Sequence, residues 1–152
     1  MRVRKLGKED MDLLIKIRMD YLFAEKGVFS DEEVQDIRKK LEEYFTKYLN
    51  KGFIAMIAEN ENEVLATAFM SMVERPPLIA FSSYLVGTVY NVFTYPQYRG
   101  QGIATKVMNE LLSEAKLLGV VAVDLMSTEK GKSLYKNFGF QVSSYTSMNK
   151  FL

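Results

Sequence analysis

The stretch of this chain best suited to chemistry is PQYRGQGIAT, residues 96–105, in which Gly100 and Gly102 bracket a single residue. An apolar pattern of helical spacing begins directly after it, so the glycines lie at the mouth of a predicted helix. Glycine lets a ligand approach the backbone closely, and the unpaired N–H groups and positive dipole end of a helix favour an anion. We therefore expect a pyrophosphate to lie across the backbone of residues 99–104, with the hydroxyl of Thr105 as a further donor.

The glycine turn is also compatible with simpler or different roles. The glycines would be needed even if they did no more than connect a strand to a helix. A Walker A loop requires Gly-Lys-Ser/Thr after a four-residue spacer, and no such run occurs. A dinucleotide site would use Gly100, Gly102 and Asp124, but Thr105 replaces its third glycine. A unit that begins after residue 80 also leaves no room for a second mononucleotide-binding half. The simple turn and the dinucleotide site remain as alternatives.

Composition excludes several kinds of chemistry. Cysteine and histidine are both absent from the 152 residues. Disulfide frameworks, the usual zinc ligand sets and Ser/His or Cys/His nucleophile pairs are therefore excluded, and we expect no metal site. Twenty Lys and Arg residues against nineteen Asp and Glu residues give a net charge of +1, so no overall field favours nucleic acid or an anionic membrane as a partner. The charged first ten residues and the lack of a long apolar run predict a cytoplasmic protein.

The elements that must position the turn follow from hydrophobic periodicity. Apolar residues at helical spacing predict three long helices, over residues 10–24, 30–50 and 102–118. Alternating apolar residues predict four strands, over residues 2–6, 53–59, 65–73 and 87–94. A capping box at Ser30 opens the second helix, and residues 60–62 form the polar tip of a hairpin.

The glycine turn belongs to a βαβ unit. The run 120–126, which follows the helix-ending Gly119, is nearly continuous in apolar residues and predicts a strand covered on both faces. A short helix over residues 131–137 and a terminal strand pair over residues 140–151 complete the prediction. The class is α/β, with a mixed sheet in a single domain that spans residues 1–152.

The glycine turn resembles a motif of a known protein family. Gln97-x-x-Gly100-x-Gly102 resembles the acetyl-CoA motif of the GNAT superfamily of N-acetyltransferases. A second block, Leu-Tyr-Lys-Asn-Phe-Gly-Phe over residues 134–140, resembles the family's Leu-Tyr-x-x-x-Gly-Phe segment. The match covers residues 87–140, and residues 1–52 resemble nothing that we can name. The resemblance implies a central, mostly antiparallel mixed sheet with a splayed parallel strand pair and helices on both faces. It also implies an acyltransferase with acetyl-CoA as donor and coenzyme A as product.

The resemblance also implies which residues bind and act. In the family the pantetheine arm inserts beside the strand before the motif, and one strand N–H stabilises the oxyanion of the thioester carbonyl. The implied cofactor-binding residues are Tyr90, Asn91, Val92, Gln97, Arg99, Gly100, Gln101, Gly102, Ile103, Ala104 and Thr105. Tyr135 matches the tyrosine that protonates the departing thiolate, although a tyrosine on a short helix is also explained by packing.

The resemblance leaves the base and the acceptor undefined. Many members carry an asparagine after the fifth strand, whereas Ser-Thr-Glu-Lys-Gly stands here at residues 127–131. Without histidine, Glu74 and Asp124 are candidate bases, but a solvated loop charge or a structural strand residue is the favoured explanation of each. Direct transfer to the amine is favoured over a covalent acetyl-enzyme.

The expected acceptor is an amine of a small molecule or a protein. We expect its specificity to lie in the first fifty residues and the loop 74–86. Carboxylates there that could attract a cationic amine include Asp20, Glu25 and Glu43. The aromatic stripe of Tyr44, Phe45 and Tyr48 is interpreted as core or as the surface of a homodimer. The alternative function is a noncatalytic acyl-CoA-binding or interaction module with the same fold.

Overall fold

A five-stranded mixed sheet is the frame of the molecule. The computed structural model describes residues 1–61 and 63–152, and Asn62 of the predicted hairpin tip lies outside the described residues. The strands, in spatial and chain order alike, are β1 (Arg2–Lys5), β2 (Phe53–Glu59), β3 (Val64–Arg75), β4 (Tyr84–Thr94) and β5 (Ala122–Leu125). All neighbours are antiparallel except β4 and β5, which are parallel. The predicted mixed, mostly antiparallel sheet is therefore confirmed.

Helices cover the sheet. They are α1 (Met11–Lys26), α2 (Asp31–Tyr48), α3 (Ile103–Leu117) and the short α4 (Lys132–Asn137). The predicted capping box is present, because the Ser30 hydroxyl accepts from the Glu33 N–H at 3.2 Å and the Glu33 carboxylate accepts from the Ser30 N–H at 2.8 Å. Within the described residues, no helix combines the length and apolarity that crossing a bilayer would require.

Both faces of the sheet are apolar because the central strands alternate between two sets of side chains. One face of β2 packs against α3 through Ile54, Met56 and Ala58. The other face packs against α1 and α2 through Phe53, Ala55 and Ile57. The sheet thus separates a layer that contains the glycine turn from a layer formed by the two N-terminal helices, as the prediction of helices on both faces requires.

The carboxyl-terminal end differs from the prediction in two ways. β5 contains no fully buried residue and Asp124 on it is exposed, so the prediction of a strand covered on both faces is wrong. It is the edge strand of the described sheet and pairs with β4 alone. The predicted strand pair over residues 140–151 is wrong as well. Residues 141–152 are exposed and form no regular structure in the described chain. Alternating apolar residues such as Val142 and Met148 do not build a strand here, because they bury against no neighbouring strand.

The connection between β3 and β4 is shorter than expected. Both strands extend beyond their predicted ends, and Glu74 pairs with Leu85 inside the ladder. The predicted loop 74–86 is therefore reduced to residues 76–83, which leaves less chain there to contact an acceptor.

A network of ion pairs fixes the start of α1 against the sheet. Arg4 on β1 donates to both carboxylate oxygens of Asp10 at 2.8 Å, and its Nε donates to Glu59 at 2.7 Å. Asp10 precedes α1 and also accepts from the Gly7 N–H at 2.9 Å. Hydrogen bonding to the Arg4 guanidinium lowers the pKa of Asp10 and of Glu59 below their ordinary values of 3.8 and 4.5. The network therefore stabilises the fold only while both carboxylates are ionised.

This network predicts an acid-sensitive contribution to stability. Because the folded pKa values are depressed, the contribution is complete above pH 4.5 and is lost as the pH falls through 3.8 toward the folded values. Arg4→Met should lower the free energy of unfolding at pH 7 by about 2–3 kcal/mol and flatten its decline in acid. Urea unfolding between pH 3 and 8 measures both effects.

The control for this variant is Lys40→Met, which removes an exposed ion pair between Lys40 and Asp36. Its effect should stay within about 0.5 kcal/mol. An Arg4→Met protein with the wild-type acid profile would contradict the assignment of the acid sensitivity to this network.

Candidate active site

The glycine turn places backbone N–H groups at the open start of α3. Gly100 and Gly102 have φ values of 75° and 71°, in the left-handed region that glycine adopts without a steric penalty. Gly102 is the N-cap residue of α3, no side chain caps the helix, and the first helical hydrogen bond runs from the Lys106 N–H to the Gly102 carbonyl. The N–H groups of residues 103–105 precede that bond and have no partner within the helix. A Cβ at either glycine would meet no atom within 4 Å, so the space above the turn is open.

The side chains of the turn hold its shape. Arg99 donates through Nε to the Thr94 carbonyl at 3.1 Å, and Gln101 donates through Nε2 to the Gln97 carbonyl at 3.5 Å. Ile103 is buried in the core beneath the turn. What these residues leave for a ligand is therefore mainly their backbone, whereas the Thr105 side chain is exposed.

β4 contains a bulge at the level where its pairing with β5 ends. The register between β3 and β4 shifts between Thr67 and Phe69, and the parallel ladder with β5 runs from Val86 to Val89. At the bulge Asn91 has φ 53°, a left-handed conformation that asparagine tolerates better than most residues. A bulge bends its strand, so residues 90–92 leave the parallel ladder and β4 and β5 are splayed.

Hydrogen bonds from a buried side chain hold the bulge. Thr67 donates to the Asn91 carbonyl at 2.9 Å, and the Asn91 amide nitrogen donates to the Thr67 hydroxyl at 3.0 Å. The Asn91 side-chain oxygen accepts from Nη1 of Arg18 on α1 at 3.1 Å. The Asn91 side chain is thus committed to the protein, and the predicted role of residues 90–92 in binding falls to their backbone and to the exposed side chain of Tyr90.

A cavity of about 360 Å³ opens where β4 and β5 diverge. We call it the splay cavity. It lies between α1, the bulged part of β4 and α4, and its lining includes Arg18, Tyr21, Glu25, Tyr90 and Tyr135. The structure therefore brings four of the predicted site residues, Tyr90, Asn91, Val92 and Tyr135, to one cavity together with α1.

Tyr135 is held at the rim of this cavity as a neutral phenol. Burial, with a smaller contribution from Tyr21, raises the pKa of Tyr135 above its ordinary value of 10.0. Phe140 packs on the ring edge-on at 6.0 Å between centroids and donates its N–H to the Tyr135 carbonyl. A Cβ at Gly131 would lie 3.1 Å from Cε2 of Tyr135, so the glycine makes room for the ring. A positioned phenol that stays protonated at neutral pH can donate a proton.

The two candidate bases lie outside the splay cavity. Asp124 accepts from the Thr88 hydroxyl at 2.6 Å and lies 3.5 Å from Arg75, and it lines an adjoining cavity instead. Glu74 is exposed where it pairs with Leu85. These positions are typical of structural or solvated carboxylates, the alternative to a catalytic base given above.

Of the three carboxylates expected to attract an amine, one lines the splay cavity and the other two do not. Glu25 lines the splay cavity. Asp20 instead accepts from the Tyr95 hydroxyl at 2.5 Å and from Lys16 at 2.7 Å, and Glu43 is exposed on α2.

Arg18 is the site residue that sequence reasoning missed. A signal for it exists, because Arg18 lies four residues after the buried Leu14 and four before the half-buried Leu22 on α1. A cation on the core-facing stripe of an amphipathic helix is unusual, since that stripe is normally apolar. Tyr44, interpreted from sequence as part of a core or dimer stripe, likewise lines a cavity beside Arg18.

Comparisons with known proteins agree on one family. Residues 11–140 match the model of the acetyltransferase (GNAT) family. The crystal structure of a predicted acetyltransferase from Clostridium acetobutylicum with acetyl-CoA superposes with a TM-score of 0.82 at 33% identity, over 97% of this chain and 95% of that one. A GCN5-related N-acetyltransferase from Ralstonia eutropha superposes with a TM-score of 0.74 at 19% identity, over 98% and 97% of the two chains. An uncharacterized N-acetyltransferase of Archaeoglobus fulgidus is 27% identical over 122 residues, which are 76% of this chain and 74% of that protein.

Proposed function

This chain belongs to the GNAT family of acetyltransferases, and on that basis we propose that it transfers the acetyl group of acetyl-CoA directly onto the amine of its acceptor. It is an acyltransferase that uses acetyl-CoA, and coenzyme A is the second product. We propose that residues 1–152 act as one catalytic domain, since both apolar layers pack on the same sheet. The observation that carries the mechanism is the continuity of the bulged β4, the glycine turn and the start of α3 along a single stretch of chain.

The glycine turn fits the pyrophosphate of acetyl-CoA. Two left-handed glycines, a helix N-terminus without a side-chain cap and open space where a Cβ would stand leave backbone N–H donors accessible to a ligand. Such a surface binds phosphate oxygens through backbone hydrogen bonds and the helix dipole. In our proposal the N–H groups of residues 99–104 hold the pyrophosphate, and the Thr105 hydroxyl adds a donor.

The splayed end of β4 fits the other end of the same ligand. Residues 90–92 have left the ladder with β5, which leaves room for an extended arm to lie beside them. When bound, acetyl-CoA supplies an activated acetyl thioester at this position. A backbone N–H of residues 90–92 donates to the thioester carbonyl oxygen and stabilises the negative charge that develops on it.

Tyr135 and Glu25 divide the proton transfers in this proposal. The N–C bond forms as the thioester C–S bond breaks, the amine loses one proton, and the departing sulfur takes one from the phenol of Tyr135. Burial keeps that phenol protonated, as a general acid requires. Glu25 is the carboxylate that lines the splay cavity in the described chain, so we propose that it attracts the ammonium form and takes one proton from it, directly or through water, to give the neutral amine that attacks. The second proton passes from the nitrogen to solvent as the amide forms.

A noncatalytic acyl-CoA-binding module is the less favoured function. Such a module needs the glycine turn but has no use for a neutral phenol and a carboxylate placed around one cavity.

A bulky side chain at Gly102 tests the placement of the pyrophosphate. Gly102→Leu should weaken coenzyme A binding by about 100-fold or more, because its side chain would fill the open space above the turn and displace a phosphate oxygen from charged hydrogen bonds. Titration calorimetry measures the affinity.

The matched control for Gly102→Leu is Gly119→Leu, at the other end of α3. Gly119 has φ 88° and no atom within 4 Å of a Cβ, so both variants carry the same kind of backbone strain, about 1–2 kcal/mol. Gly119→Leu should bind coenzyme A as the wild type does. Equal affinities for the two variants would place the pyrophosphate elsewhere.

Removal of the Tyr135 hydroxyl tests its role as the proton donor. Tyr135→Phe keeps the ring packing and removes the proton donor, so the chemical step should slow by about 100- to 10,000-fold while coenzyme A affinity stays within about twofold. Single-turnover thiol release with saturating amine isolates the chemical step. A variant that retains the wild-type single-turnover rate would assign proton donation to water or to another group.

A further inference from the structure

A second cavity adjoins the splay cavity on the side of the N-terminal helices. It has a volume of about 260 Å³ and lies between α1, α2 and the sheet. Its walls are mainly aromatic, with Tyr44, Phe45, Phe53 and Phe69. We call it the aromatic cavity. For comparison, a dry cavity of about 150 Å³ is large enough to bind benzene.

The two cavities share two lining residues, Arg18 and Tyr90, which stand at the boundary between them. A small molecule at this junction would therefore touch the proposed thioester position on one side and the aromatic rings on the other. The junction is where an acceptor must present its amine.

Among the described residues, Arg18 is a half-buried cation without a carboxylate partner. Its hydrogen bond among the described residues is the one to Asn91, and its guanidinium lies 5.3 Å from the ring centre of Tyr21. No Asp or Glu of the described chain lies within ion-pair distance of it. Burial lowers the pKa of Arg18, and the nearby phenols of Tyr21, Tyr44 and Tyr90 oppose this shift. An arginine stays charged at neutral pH even so.

Arg4, whose role is structural, provides a comparison for Arg18. Arg4 is half-buried like Arg18, yet it contacts two carboxylates, Asp10 and Glu59. Arg18 is half-buried as well, but it has an uncharged amide in their place. Removing a charge from water without a counter-ion costs free energy, and binding of an anionic ligand would offset this cost.

We propose that the acceptor is a free α-amino acid with an aromatic or large apolar side chain, whose carboxylate binds Arg18. This proposal rests on the proposed function, because it names the acceptor of the same site. The side chain enters the aromatic cavity, and the amine points from the junction toward the thioester position. One guanidinium matches the single charge of a carboxylate and its two oxygens, whereas a phosphate dianion would leave a second charge unpaired. The product is the N-acetyl amino acid.

The test compares three amines that share one phenyl side chain. Phenylalanine carries the carboxylate, phenethylamine lacks it, and phenylalaninamide replaces it with a neutral group that also mimics a peptide N-terminus. For the wild-type enzyme, kcat/KM should be about 10- to 100-fold higher for phenylalanine than for either of the others, the range expected for hydrogen bonds to a charged group. Glycine, which has no side chain to fill the aromatic cavity, should be at least about tenfold poorer than phenylalanine.

Arg18→Met tests the assigned residue. In this variant the preference for phenylalanine over phenethylamine should fall to about one, and Arg18→Lys should restore part of it. Calorimetric binding of the same two amines to the wild type and Arg18→Met, without acetyl-CoA, provides a readout that does not depend on turnover and should show the same loss of preference. A purely structural Arg18 would instead lower the values for both amines together. Lys26→Met is the matched control, because it removes an exposed cation from the splay cavity and should leave the preference unchanged.

The outcomes separate this inference from the proposed function. Acetylation of phenethylamine or phenylalaninamide as fast as phenylalanine would overturn the amino acid acceptor while supporting the acetyltransferase. A preference for phenylalanine that survives Arg18→Met, with the protein folded by circular dichroism, would overturn the role of Arg18. If none of these amines releases thiol but other amines do, the inference is wrong and the function stands. If no amine of a broad panel, peptides included, releases thiol from a protein that binds coenzyme A, the proposed function itself fails.

Discussion

The site depends on one buried polar pair, Thr67 and Asn91. These are the two polar side chains that the described structure buries fully, at 1% and 3% exposure. A buried amide or hydroxyl costs free energy unless it is hydrogen-bonded, and here each satisfies the other across the β3–β4 ladder. Asn91 has a left-handed backbone and lies in the bulge, so the hydrogen-bonded pair fixes the bulge against β3. The bulge begins directly after the last β4–β5 pair and gives Arg18 its hydrogen-bond partner.

Beginning at the bulge, a single stretch of chain supplies both ends of the proposed cofactor site. β4 leaves its ladder at the bulge, continues to Thr94, and passes through the glycine turn into α3. α3 is fixed to the sheet by buried residues such as Val107, Met108 and Leu111, so its N-terminus cannot move independently of β4. Rigid placement of donors is what makes backbone N–H groups effective toward a developing negative charge, because they need no reorganisation during reaction. The N-terminal helices complete the site from the opposite layer.

Sequence predicted the parts of this arrangement that local chemistry determines. Periodicity located α1, α2 and α3, the Ser30 capping box located a helix start, and Gly100 and Gly102 marked a turn that only residues tolerant of positive φ adopt readily. The failures involve long-range partners. The alternating residues after Phe140 look like strands, but alternation builds a strand only where a neighbouring strand exists, and none is present there in the described chain. Arg18 was missed because its role depends on Asn91, 73 residues away, and on its having no ion-pair partner within the part of the chain that the structure describes. The bulge itself arises from the register of β3 against β4, which no local pattern records.

In our proposal, backbone N–H groups of two separate segments, residues 90–92 and 99–104, bind one acetyl-CoA molecule. Residue-resolved amide hydrogen exchange with and without coenzyme A tests it directly, since a bound donor exchanges more slowly. The amides of both segments should gain protection from exchange together, in proportion to the fraction of protein that has bound coenzyme A, while those of the exposed residues 141–152 should not change. Protection confined to other regions, or to one of the two segments alone, would contradict it.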